Sequence, residues 1–86
     1  MPYMTGIAET LGRMRTRPAA VRFSELRRVC EAYFGPPRQP GTSHLVFKTP
    51  WAGDPRVNIQ NDKGNAKAYQ VRQVLRAIEK LEAEQR

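Results

Sequence analysis

Between His44 and Gln60 the apolar positions alternate. Leu45 and Phe47 are spaced between His44, Val46 and Lys48. After a break, Val57 and Ile59 are spaced between Arg56, Asn58 and Gln60. A period of two puts successive side chains on opposite faces of a strand. The pattern therefore predicts strands over residues 44–49 and 56–60, joined through the turn-rich run Pro50-Trp51-Ala52-Gly53-Asp54-Pro55. In an antiparallel hairpin the two apolar rows share a face, and Phe47 belongs to the core. The opposite face displays His44, Lys48, Arg56, Asn58 and Gln60.

Either side of this hairpin the period changes to that of a helix. Leu26, Val29, Cys30 and Tyr33 recur at i, i+3, i+4 and i+7, which predicts a helix over 24–34. Ser24 is the expected N-cap, and Gly35 before Pro36-Pro37 ends the helix. Val71, Val74, Leu75, Ile78 and Leu81 predict the longest helix, over 66–84. Its C-terminal Lys80–Glu84 and Glu82–Arg86 spacings suit i,i+4 pairs. A narrower stripe of Ile7, Leu11 and Met14 predicts a helix over 3–15, with Thr5 as cap. Thr16-Arg17-Pro18-Ala19-Ala20 reads as a linker, because proline disfavours helix at the residue before it. This arm either packs on the domain, meets a partner or stays mobile. The Pro/Gly-rich residues 36–43 leave room for a short edge strand around Arg38-Gln39. Asn61-Asp62-Lys63-Gly64-Asn65 reads as a turn.

At 86 residues, 40% hydrophobic and 27% charged, the chain suits one small domain with a modest core. The expected fold class is α+β, a layer of helices on one small sheet. No run of 18 apolar residues and no signal-peptide core appear, so the expected location is cytoplasmic. Cys30 is the only cysteine. It excludes an internal disulfide and, on an apolar helix face, reads as core. The net charge of +7 and pI near 10.3 change the picture more. A strongly basic domain points first to a polyanion such as nucleic acid; the plainer reading is a protein that is merely basic.

His44 is the single histidine, and it opens the first strand. Metal binding needs three or four ligands, so one His and one Cys argue against it, and no cofactor is expected. Ser43 beside His44 does not make a triad. Asp54 and Asp62 lie apart, which removes a two-metal nuclease. Metal-free RNA cleavage asks for less. RNA carries its own nucleophile, the 2′-OH. Imidazole can move a proton near neutral pH, and Lys or Arg can stabilise phosphate charge. Lys48 and Arg56 share the predicted face with His44. Lys63, Lys67 and Arg72 are candidate RNA-binding residues near the start of the last helix. A non-catalytic RNA-binding module, or a basic face that docks an acidic protein, fits the same charges. A lone strand histidine is often structural. Ser43 either orients the histidine or a phosphate, or caps the turn. Tyr69 is expected to pack on the sheet, with donation to a phosphate as the alternative. Trp51 either stacks on a base or anchors its loop.

Several stretches together resemble a known family. They are Val21-Arg22-Phe23-Ser24-Glu25-Leu26, Gly41-Thr42-Ser43-His44 with Phe47-Lys48, Val57-Asn58-Ile59-Gln60, Lys63-Gly64, and Tyr69-Gln70-Val71-Arg72-Gln73-Val74-Leu75. Residues 21–80 carrying them resemble the HicA toxins of bacterial toxin–antitoxin systems. The resemblance implies a double-stranded-RNA-binding-domain-like fold, with α-β-β-β-α order and two helices on one face of a three-stranded antiparallel sheet. It implies an mRNA interferase, with His44 as the catalytic histidine, mRNA as substrate and a HicB-type antitoxin as protein partner. The chain departs from the shortest family form by one extra residue between Gly41 and His44. It also has a proline-interrupted first strand and an N-terminal extension. Residues 1–20 are thus expected to be a helical extension and linker, and 21–86 the HicA-like domain.

Overall fold

A computed structural model describes residues 2–38, 44–53 and 56–84, and side chains from residue 6 onward. The fold is α+β, with three helices and a three-stranded antiparallel sheet. Helix α1 (Pro2–Thr16) is followed by a 3-10 turn (Pro18–Ala20) and helix α2 (Phe23–Phe34). Strands β1 (His44–Lys48), β2 (Arg56–Asp62) and β3 (Asn65–Ala66) come next, and helix α3 (Ala68–Glu84) is last. The strands run in the order β1-β2-β3, each antiparallel to the next.

The β1–β2 alternation is as its sequence predicts. Leu45, Phe47, Val57 and Ile59 are buried on one face. They meet Leu26, Val29 and Cys30 of α2 and Val71, Val74 and Ile78 of α3 in one core. Helices α2 and α3 both pack on the sheet, while α1 packs on α2, α3 and the 3-10 turn. The N-terminal arm therefore joins the domain. Met14 is 1% exposed inside the common core, with Ile7 and Leu11 packed beside it. The expected linker at 16–20 is a turn of 3-10 helix beginning at Pro18, a residue suited to a helix start because it needs no N–H partner there.

Several element boundaries differ from the sequence reading. Helix α2 is capped by Arg22, not Ser24. The backbone N–H of Arg22 donates to Glu25 Oε1 at 3.0 Å, half of a capping box. The helix starts early because Val21 and Arg22 are held extended along the outer edge of β3. Ala66 N–H donates to Val21 O, Phe23 N–H donates to Gly64 O, and Arg22 bridges Asn65. Helix α1 starts at Pro2, so Thr5 lies inside it.

The third strand is Asn65–Ala66, not the expected edge strand at 38–39. Arg38 makes one bridge, its N–H donating to Val46 O at 2.8 Å. Gln39 lies outside the described residues. Strand β3 forms because Lys63-Gly64 closes a two-residue hairpin with φ of +53° and +89°. Positive φ at both central positions matches the right-handed twist of the flanking strands. Gly64 takes this geometry without strain, and its N–H donates to Asn61 Oδ1 at 2.7 Å. The last helix begins at Ala68, two residues later than expected.

At the far end, the β1–β2 loop is tied to the end of α3. Trp51 Nε1 donates to Glu84 Oε1 at 2.5 Å, and Lys80 Nζ lies 4.3 Å from the Trp51 ring centroid. Lys80 and Glu84 thus both meet Trp51, where the sequence suggested an i,i+4 pair. The Glu82–Arg86 pair lies outside the described residues. Glu82 instead accepts from the Tyr33 hydroxyl at 3.3 Å, which ties α2 to α3. Burial, and then the Glu82 carboxylate, push the Tyr33 phenol up from its ordinary value.

Candidate nucleic-acid interface

The sheet's outer face is where the sequence placed its chemistry. His44, Lys48, Arg56 and Asn58 are exposed there, with Val46 and Gln60 half-buried. The register pairs His44 with Gln60, Val46 with Asn58, and Lys48 with Arg56. Lys48 and Arg56 therefore face each other across the hairpin. His44 lies four residues from Lys48, about 13 Å along the strand. This spacing sets Lys48 and Arg56 apart from His44 along the face that the three share. They lie at the other end of the strand from His44, near the Trp51 loop.

The His44 end of the face has other neighbours. Asp62 lies two residues beyond Gln60, on the same face of β2 and diagonal to His44, about 7 Å away across the pair. The sequence placed Asp62 in a turn; it is the last residue of β2. Next comes the Lys63-Gly64 turn, with Lys63 exposed. Arg22 reaches the same turn. One of its guanidinium nitrogens lies 3.5 Å from where a Cβ on Gly64 would sit, an ordinary contact distance. Arg22 and Lys63 thus form a cationic corner, and the sequence reading did not select Arg22. Only the long-range bridge to Asn65 puts it there, and no local pattern signals that bridge.

Lys67 is half-buried just before α3, and its carbonyl accepts from the N–H groups of Gln70 and Val71. Arg72 is exposed on α3. Because α3 belongs to the helical layer, Arg72 does not share the sheet face with His44. Ser43 lies outside the described residues.

Gln70 is the polar residue that sequence reasoning passed over. It is 4% exposed. Its Oε1 accepts from the backbone N–H of Gln60 at 2.8 Å, and its Nε2 donates to the Tyr69 hydroxyl at 3.3 Å. Strand β3 is only two residues long and pairs Asn61 and Asp62. The edge of β2 at Gln60 is therefore completed by a side chain, as a buried N–H requires a partner. Tyr69 does not pack on the sheet as expected: it is 54% exposed. Trp51 serves as a loop anchor, with Lys80 over its ring.

Two other features bear on chemistry. Burial pushes the Cys30 thiol well above its ordinary value. The thiolate is the nucleophile in cysteine chemistry, so Cys30 stays an inert core residue. Between α1 and α2 an open cleft of about 90 Å³ is lined by Ile7, Glu9, Thr10, Arg13, Glu25 and Arg28, and none of the predicted site residues reaches it. In its wall Arg13 Nη1 donates to Glu25 Oε1 at 2.6 Å. This bond, helped by the Arg22 N–H, holds the Glu25 carboxyl below its usual range against the opposing effect of burial.

Among the described residues no three His, Cys, Asp or Glu side chains come together as a metal site. Nor is any described helix long and apolar enough to cross a membrane. No family model matches the chain, and no curated protein or solved structure does so either.

Proposed function

We propose that this chain is an RNA endonuclease in which His44 moves the proton at the cleaved bond. The observation that carries the reading is one imidazole, exposed at the start of β1, on a sheet face that also bears exposed Lys48, Arg56 and Asn58. In the proposed step the 2′-OH attacks the adjacent phosphorus and the bond from phosphorus to the 5′-oxygen breaks. His44 as base takes the 2′-OH proton, or as acid supplies the proton that the 5′-oxygen gains. A 2′,3′-cyclic phosphate and a 5′-OH result, and DNA, lacking the nucleophile, is not cut. Arg22 and Lys63 hold a phosphate near His44, and Lys48 with Arg56 hold one farther along. Lys67 and Arg72 add charge from the α3 side.

The sequence resemblance to HicA toxins supports this reading. So does the order α2-β1-β2-β3-α3 with both helices packed on the sheet, the double-stranded-RNA-binding-domain-like plan that the resemblance implies. On this proposal the chain is the toxin of a toxin–antitoxin pair, mRNA is the substrate, and a HicB-type antitoxin covers the sheet's outer face. Incubating the purified chain with RNA and identifying the new ends tests it. Cyclic-phosphate and 5′-OH ends that vanish in His44→Ala support the proposal. Retention of intact RNA by both proteins would make the chain a non-catalytic RNA-binding module.

A further inference from the structure

The exposed side of α3 carries a pattern separate from the sheet face. Tyr69, Arg72, Gln73 and Arg76 are all exposed. Their i, i+3, i+4 and i+7 spacing puts them on one side of the helix, over about 10 Å of its length. The opposite side, through Val71, Val74 and Ile78, is the core. The outer stripe thus has an aromatic ring at its N-terminal end, two guanidinium groups and one amide. The first turn of α3 carries no acidic residue.

The ring of Tyr69 is built in. An exposed tyrosine ordinarily gives its hydroxyl to water and its ring is free to turn. Here the hydroxyl accepts from Nε2 of Gln70, which is 4% exposed and itself fixed to the Gln60 N–H. This contact restrains the ring before any ligand arrives, so less conformational freedom is lost when one binds. Gln60 is also the residue paired with His44. Tyr69 and His44 therefore flank β2 at the same end of the molecule.

We infer that Tyr69 is a stacking platform for one unpaired base of an RNA strand, with Arg72 and Arg76 on its phosphates, and that this strand continues around the Gln60 edge to His44. The inference rests on the RNA-cleaving reading above and adds the form of RNA. Bases in a duplex are already stacked on both faces, whereas a splayed base offers its face to an aromatic ring. An acidic or apolar protein segment is the competing occupant. The two guanidinium groups beside a planar ring favour a nucleotide, which has both a π-face and a phosphate.

The test uses His44→Ala protein, so that RNA stays intact, and fluorescence anisotropy with a labelled single-stranded RNA and a duplex of equal length. In that background Tyr69→Ala should weaken single-strand binding by roughly 5- to 150-fold and leave duplex binding nearly unchanged. Tyr69→Trp, which keeps an aromatic face, should restore single-strand binding. Arg72→Gln should lower the log–log salt slope on the single strand by about 0.7. Far-UV circular dichroism reports that each variant is folded. Unchanged single-strand affinity in Tyr69→Ala overturns the inference and leaves the RNA-cleaving reading standing; so does an equal loss on both RNAs. If the parent binds neither RNA, the RNA-cleaving reading itself falls, and this inference with it.

Discussion

Replacing Gln70 tests whether a side chain completes the sheet. Gln70 is 4% exposed, and its Oε1 accepts the Gln60 N–H at 2.8 Å. Gln70→Leu keeps most of the volume but offers no acceptor. The Gln60 amide then loses its partner at a half-buried strand edge, a loss of about 1–3 kcal/mol. For a domain of this size each kcal/mol moves Tm by roughly 4–8 °C, so Tm should fall by about 4–24 °C. Circular dichroism melts read the global loss. Native-state hydrogen exchange reads the local one: the Gln60 amide should lose protection far more than its β2 neighbour Ile59. Gln70→Glu, which keeps an acceptor oxygen, should recover Gln60 protection in part. If Gln70→Leu melts with wild type and the Gln60 amide stays protected, the side chain does not complete the sheet, and Tyr69 loses its support as well.

Two further outcomes concern the N-terminal helix. Met14 is 1% exposed in the shared core, so Met14→Ala should cost about 2–5 kcal/mol in urea unfolding; a change below about 0.5 kcal/mol would mean that α1 is detached in solution. Glu25 is held below its usual carboxyl range, first by Arg13 and then by the Arg22 N–H. A lowered folded-state pKa gives stability that is present above the ordinary value of 4.5 and is lost as pH falls through the lowered one. Melting temperature should therefore drop below that pH in wild type and less steeply in Glu25→Gln, which is already weaker at pH 7; parallel curves would show that the Arg13–Glu25 contact does not contribute.

The hairpin and its two flanking helices were legible because each is a long periodic signal. The alternation from Leu45 to Phe47 and from Val57 to Ile59 fixes both the strands and the face that His44 occupies. Strand β3 was not legible. Asn65 and Ala66 are weak strand formers, and two residues have no period. They pair because the Lys63-Gly64 turn returns the chain and because Val21–Phe23 close their other edge. The same long-range pairing moved the α2 cap from Ser24 to Arg22 and brought Arg22 to the candidate site. Gln70 was hidden for a different reason. A glutamine beside an apolar stripe looks like a solvated residue, and its burial follows only from the short length of β3. Within the site, the sequence placed His44, Lys48 and Arg56 on one face, but alternation carries no information on how far apart the chemistry needs them.

The central claim is that His44 carries the proton transfer, and single-turnover cleavage of one RNA by wild type and His44→Ala tests it most directly. His44 is exposed, so the substitution leaves the core untouched and both proteins should give the same far-UV spectrum and Tm. A general acid–base group contributes about 10²- to 10⁴-fold, and the rate should fall by that factor while RNA affinity changes little. Equal cleavage rates in the two proteins would contradict the account, whatever the basic face binds.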